Sequence, residues 1–240
     1  MGVFAGPERN VSLQTTSGRS LYSLGVVQDG LVLNLDASKF YSYPRSGNTW
    51  TNLAGSPNVT LSSTSFVTDA SGGIGFTSGS STASFTATGL SISSGFTISV
   101  WVKHTGTLPR AVGITQRYFT IQPEAVVLRF ENNDNLHGYV FDNEGIFRSI
   151  SISNQIFSGN YYNCVYSYDG STFRLYNNTV EIGNLSATVT LRTPSGTGYF
   201  PSEAPEWFEG NMYSSQFYNR ALTATEITQN YNALKGRFGL

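Results

Sequence analysis

Apolar and polar positions alternate with a period of two over most of this chain. The clearest run is FTISVWVKH, where Ile98, Val100 and Val102 fall on one side and Thr97, Ser99, Trp101 and Lys103 on the other. That period marks a strand with one buried face. Leu31, Leu33 and Leu35 alternate with Val32 and Asn34, which predicts a second strand with a strongly apolar face within 30–40. Short strands are predicted at 59–61, 73–76, 83–85 and 90–92, each bounded by Ser/Gly-rich turns. Hairpins follow: 117–121 with 126–130 around Pro123 and Glu124, and 137–141 with 146–150 around the turn Asp142-Asn143-Glu144-Gly145. The pair Asp169-Gly170, between 161–168 and 171–176, is the strongest short hairpin signal, and Asn177-Asn178 marks another tight turn before 179–182.

The last thirty-three residues change period. They open as a strand, with Met212, Ser214, Gln216 and Tyr218 predicted on one face and Tyr213, Ser215 and Phe217 on the other. After Asn219 and Arg220 a helix is predicted. Thr223 and Glu226 have capping-box spacing, and Ile227, Tyr231 and Leu234 form one apolar stripe. The helix is expected to stop at Gly236, with Lys235 and Arg237 near its negative end. The whole pattern predicts an all-β fold, a two-sheet antiparallel jelly-roll sandwich with a short C-terminal helix docked at one edge.

Residues 1–28 show neither period. Val3, Phe4, Val11, Leu13, Leu21 and Tyr22 are too many apolar groups for a solvated tail. The segment reads as an extended attachment arm, lying on its own sandwich or reaching a neighbouring subunit, with 29–240 as the sandwich.

Composition narrows the function. Charged residues make up 12% of the 240, against about a quarter in an average domain. The net charge is −1 with no Lys/Arg cluster, so no nucleic acid is expected as a partner. No apolar run is long enough for membrane insertion. The start MGVFAGPERN lacks the basic and apolar regions of a secretion signal, and the single Cys164 excludes an intrachain disulfide. Folding in a cytoplasm is the expectation.

No catalytic residues are expected. The Glu-x-Asp-x-x-Glu strand of sandwich glucanases is absent, and its nearest approaches, Glu131 with Asp134 and Asp142 with Glu144, read as turns. His104 and His137 have no nucleophile elbow beside them and read as strand-end hydrogen-bonding groups. Cys164 reads as a core thiol. The segment 131–135 and Asp36 offer oxygen atoms for a hard cation but lack ligand spacing, so no metal and no cofactor are expected. For ligand binding the candidates are Tyr199, Phe200 and Trp207 on the irregular segment 192–210, with Trp101 a further one. Core packing is the competing reading for Trp101 and for Trp50.

Four stretches carry a family likeness. GLVLNLDA with SYPRSGNTWTNLAG resembles the opening "GLVLxLDA … SYPGSGTTWxDLSG" of laminin-G-like, concanavalin A-like sandwiches, with Arg45 and Asn52 where that pattern has Gly and Asp. FTISVWVKH, YYNCVYSYDGSTFRLYNNTVEIG and the YNRAL turn before the last helix resemble the same family. The terminal NYNALKGRFGL is similar to versions carried by tailed-phage structural proteins. That resemblance implies a non-enzymatic virion protein, a capsid decoration or a tail or fibre component. Such a protein would be assembled in the host cytoplasm, would form homo-oligomers and would be held to other virion proteins by the arm. A lectin-like face would add weak affinity for a host-surface glycan. The alternative is a carbohydrate-binding lectin module or receptor-binding protein.

Overall fold

A computed structural model of the chain describes residues 25–77, 79–88, 90–105, 115–121, 124–131, 134–200 and 208–240. Among them, two antiparallel sheets pack face to face. The first runs in the order β14 (Val180–Ser186), β13 (Thr172–Asn177), β12 (Tyr162–Tyr168), β7 (Phe96–His104), β16 (Gly210–Tyr218), β5 (Gly73–Phe76) and β4 (Ser65–Val67). Strand β1 (Leu31–Asp36) pairs with the other half of β16. The second sheet runs β11 (Phe147–Ile152), β10 (Asn135–Phe141), β9 (Val126–Glu131), β8 (Thr115–Ile121), β15 (Thr197–Tyr199), β6 (Thr82–Thr86), β3 (Val59–Ser62) and β2 (Thr49–Trp50).

The core lies between the sheets. From the first come Leu33, Leu35, Phe96, Ile98, Val100, Val102, Tyr166 and Phe173; from the second come Leu61, Phe85, Phe119, Leu128, Phe130 and Val140. Period-two geometry puts these on facing surfaces, as the alternation in β7 predicts. Gly138 of β10 faces inward, where a Cβ would stand 2.6 Å from the Tyr166 ring. Only glycine lets that ring lie against the strand.

Two strands depart from strict alternation. Leu31 pairs with Tyr218 but Leu33 with Phe217, so β1 carries a bulge at Val32. Leu33 and Leu35 enter the core, whereas Leu31 packs on the outer side with Tyr218 and Ile227. In β16 the register slips between Met212 and Ser214. Met212 and Phe217 therefore share the inner face, and Tyr213, Ser214, Gln216 and Tyr218 the outer. An extra residue in one strand reverses the facing of everything beyond it. The segment 90–92 is not a strand, although Leu90 and Ile92 are buried at the end of the sandwich. The strands β2, β4 and β15 have no counterpart among the predicted strands, and β15 corrects the expectation that 192–210 is irregular throughout: Thr197–Tyr199 pair with β6, and Gly198 and Tyr199 with β8.

The C-terminal helix α1 (Ala224–Leu234) begins at the predicted capping box. Thr223 Oγ1 accepts from Glu226 N, and Glu226 Oε2 accepts from Thr223 N at 2.8 Å. Arg220 adds two bonds to the same carboxylate, at 3.0 and 2.6 Å. The stop at Gly236 is corrected. The chain continues through one 3₁₀ turn, Lys235–Phe238, and the left-handed residue is Gly239 at φ 73°. That extra turn delivers Phe238 onto Trp101, so tertiary packing overrides the local stop signal.

Candidate functional site

Each sheet turns one face away from the core. On the first sheet that face carries Trp101, with its ring stacked on Phe238 at 4.1 Å and Tyr231 at 5.3 Å. Trp101 is 1% exposed. It is a clamp for the helix and not a ligand platform. From the residue before Tyr231 in α1, Asn230 Nδ2 donates to Tyr218 OH, Tyr218 OH donates to Val27 O, and Val27 N donates to Asn230 Oδ1. Residues 25–28, the described end of the predicted arm, are thereby tied to the chain's own helix. The arm residues Val3, Phe4, Val11, Leu13, Leu21 and Tyr22 lie outside the described residues, as does Trp207.

Phe200 is also removed from the candidates. It is fully buried against Phe119 at 4.7 Å and Phe85 at 5.1 Å. Tyr199, its neighbour, points the other way. It is half-buried on the outer face of the second sheet, opposite Thr120 of β8 and Ser84 of β6. The start of the 192–210 segment lines a groove of about 260 Å³ with Leu90, Ile92 and Leu191.

The outer face of the second sheet gathers groups the sequence reading had scattered. His137, Tyr139 and Phe141 alternate outward along β10, and Phe147 of β11 stands opposite Phe141. The Phe147 ring lies 5.1 Å from Tyr139 and 5.3 Å from Phe141, and His137 lies 5.3 Å from Tyr139. Arg129 of β9 covers Tyr139 at 4.8 Å, and Arg192 covers Phe141 at 5.6 Å. Phe147 is 47% exposed, whereas Tyr139 is buried. Tyr199 is three strands from Tyr139 on the same face, a separation of about 14 Å at ordinary strand spacing.

Beside the rings is a charged group of three. Glu131 Oε1 lies 2.6 Å from His137 Nδ1 and within bonding distance of Arg129. Ser151 Oγ donates to Glu131 Oε2 at 3.3 Å, and Asn135 Nδ2 reaches Ser151 Oγ at 3.5 Å. So short a contact to a carboxylate requires the proton on Nδ1, which turns Nε2 toward another role. Nε2 is buried and has no hydrogen-bond partner, and neither has Asn135 Oδ1. Buried polar atoms without partners are rare in folded proteins and call for a reason. Burial pushes the Glu131 carboxyl up, but the His137 hydrogen bond and the charges of His137 and Arg129 outweigh it and hold the group at about 2. Glu131 is therefore a fixed anion at ordinary pH.

Two readings from the sequence change here. Glu131 is the last residue of β9 and part of an ion cluster, not a turn residue, and His137 is its partner. Asp142 keeps its turn role, with Oδ1 accepting from Glu144 N and Ile146 N. Asp36 is taken up by Ser38 and Arg237. Burial pushes the Cys164 thiol up, as expected of a core cysteine. The signal that could have found the site was the outward alternation of His137, Tyr139 and Phe141 in a strand already predicted.

A family profile described as the concanavalin A-like lectin/glucanases superfamily matches residues 77–228. No curated protein matches the chain. Among solved structures, the receptor-binding domain of a botulinum neurotoxin C/D mosaic serotype is similar, with a TM-score of 0.67 and 14% identity over 85% of this chain. The binding domain of botulinum neurotoxin DC, solved in complex with SialylT, has a TM-score of 0.68 at 14% identity over 86% of this chain. A third, reported with the dependence of botulinum neurotoxin type C cell entry on two ganglioside molecules, has a TM-score of 0.67 at 15% identity over 87%. The chain spans about half the length of those domains, 51% to 52%. At such identities the likeness is one of fold.

Proposed function

The chain belongs to the concanavalin A-like lectin/glucanases superfamily, and we propose that it is a non-catalytic carbohydrate-binding domain whose site is the outer face of the second sheet. One observation carries this reading: the exposed Phe147 ring lies 6.2 Å from the His137 ring, whose Nδ1 meets the fixed anion Glu131 and whose buried Nε2 has no partner. A sugar ring presents C–H bonds to an aromatic surface and hydroxyls to planar polar groups, the mixture such sites provide. Glu131 accepts from one hydroxyl, and His137 Nε2 is placed to bond to another.

Hydrolysis does not fit. A glycosidase needs one carboxyl that keeps its proton to protonate the leaving oxygen. Glu131 is held at about 2 and cannot supply that proton near neutral pH. The glycan-directed relatives support binding, and the chain's half-length coverage of them makes that support one of likeness. Of the two readings drawn from the sequence, the lectin module is favoured over the virion component by the family match and the likeness in fold to receptor-binding domains.

A glycan array followed by calorimetry tests this. Phe147→Ala should weaken binding to the best ligand roughly tenfold, about 1.4 kcal/mol, and Glu131→Gln should do so by a similar factor. A wild-type protein silent across the array would overturn the reading, as would unchanged affinity in both variants.

A further inference from the structure

The positive charges of this chain are matched unevenly. Among the described residues Lys103, Arg129, Arg148, Arg174, Arg220 and Arg237 each lie within ion-pairing distance of a carboxylate. Lys39, Arg45 and Lys235 do not. All three stand at one end of the sandwich. Lys39 borders a groove with Leu234 and Gly236, the neighbours of Lys235, and with Arg237. Arg237 Nη2 donates to Gly72 O at 2.7 Å. The Phe66 ring lies against Gly72 and carries the Arg45 guanidinium at 5.5 Å. The sequence keeps free carboxylates away from this end. No acidic residue falls between Asp36 and Asp69 or within 227–240, and both aspartates are already paired, Asp36 with Arg237 and Asp69 with Lys103.

An aromatic tip is held in water at the same end. Ser42 N and Tyr43 N both donate to Lys39 O at 2.9 Å, which closes a tight turn with Phe40 and Tyr41 at its apex. Ser42 Oγ donates to Thr51 O and accepts from Asp36 N, and Tyr43 OH donates to Gly47 O, so the base of the turn is fixed. Phe40 is 65% exposed and Tyr41 87%, with their rings edge to face at 6.4 Å. Two large rings exposed together mark an interaction surface. An apolar patch on another protein would be served by the rings alone. Rings flanked by cations without partners match a surface that is apolar within and anionic at its boundary.

We infer that this end of the molecule docks on an anionic membrane surface. Phe40 and Tyr41 enter the headgroup layer, and Lys39, Arg45 and Lys235 meet the lipid anions. The chain lies on the bilayer and does not cross it, so no spanning helix is needed, and none is present among the described residues. The preformed turn lowers the ordering cost of binding. With one loop tip and a few cations, the attachment is reversible and sensitive to salt. It shares no residue with the sheet-face site.

The full chain is floated with vesicles of phosphatidylcholine, and with vesicles in which phosphatidylserine replaces part of it. Neither lipid carries a glycan, so the result does not depend on the sheet-face site, and Phe147→Ala should leave it unchanged. The protein should float with the phosphatidylserine vesicles and far less with the neutral ones, and added salt should release it. Lys39→Gln should weaken binding about fivefold, the effect of one basic residue near such a surface. Phe40→Ser combined with Tyr41→Ser should abolish flotation while urea stability stays near that of the wild type, because both side chains are exposed. In Tyr41→Trp, phosphatidylserine vesicles with brominated acyl chains should quench fluorescence beyond the wild-type level, which attachment by charge alone would not produce. The inference is overturned if the wild type stays free of the anionic vesicles, if the double variant floats as the wild type does, or if Tyr41→Trp shows no added quenching. A dimer in sedimentation that the double variant dissolves would overturn it equally, because a second copy of the chain would then cover the tip.

Discussion

The outward face of the first sheet holds Thr97, Ser99, Asn163, Ser167, Ser214 and Gln216, all polar and all buried. The outward face of the second holds Phe147 and Ser151, one apolar and one polar, both exposed. The first is covered because α1 carries Ile227 and Tyr231 to it and the following turn brings Phe238, so aromatic and aliphatic anchors at the two ends bury the polar middle. Its polar groups then bond to one another: Asn163 Nδ2 to Ser99 Oγ at 2.9 Å, Gln216 Nε2 to Ser214 Oγ at 2.6 Å. Among the described residues no helix covers the second face, and its charged groups bond around an aromatic surface that stays open to solvent at its margin. In one sandwich, then, aromatic side chains on the two outer faces have different duties. Trp101 holds the helix to the sheet, and Phe147 leaves about half of its surface open to solvent.

The largest expected effect tests that division. Trp101→Ala removes a ring stacked on two others and should destabilise the protein by about 3–5 kcal/mol, read by urea denaturation. Phe147→Ala should cost less, about 1–2 kcal/mol, because its ring is half-covered by Tyr139 and Phe141. Similar losses in the two variants would break the comparison.

Acid sharpens it next. The Glu131 carboxyl is held at about 2 against an ordinary 4.5. A depressed folded-state value means the contribution is fully present above pH 4.5 and is lost as the pH falls from 4.5 through 2. The two values bound the contribution at about 3 kcal/mol. Comparing urea stability at neutral pH and at pH 3, the wild type should lose more than Glu131→Gln. An equal loss in both would mean that the ion cluster on the open face contributes nothing to the acid response.

The smallest effect concerns the lid. Thr223→Ala deletes one half of the capping box and should cost about 1 kcal/mol. Hydrogen exchange should quicken at Glu226 and Ile227 while β9 and β10 keep their protection. Faster exchange on the second sheet as well would show that the two faces are not independent.

Much of this was legible in the residues. The strand period of 96–104, the Asp169-Gly170 hairpin and the Thr223–Glu226 cap all depend on neighbours a few positions away, and all stand where the sequence puts them. Arg45 occupies a place where the family pattern has glycine, and its φ is 69°, the left-handed region that glycine adopts most readily. Asn52, in place of aspartate, accepts from Asn34 N and Ala54 N and donates to Val32 O, which fastens β1 to the following loop. The bulges at Val32 and Tyr213 were not legible, because nothing local distinguishes a bulged residue from a paired one. They decide that Leu31 faces the helix and that Met212 faces the core.

The sequence by itself determined the class of fold, the positions of most strands and the start of the helix, because period, turn chemistry and capping act over short separations. It named Trp101, Phe200 and Tyr199 as candidate binders without being able to say which face each would occupy. Only the tertiary structure decided that. Burial of Trp101 depends on Tyr231 and Phe238, more than a hundred positions away, and the partnership of Glu131 with His137 depends on β9 and β10 lying side by side. Side chains become a site when strand pairing brings them within bonding distance, and pairing is a property of the whole chain.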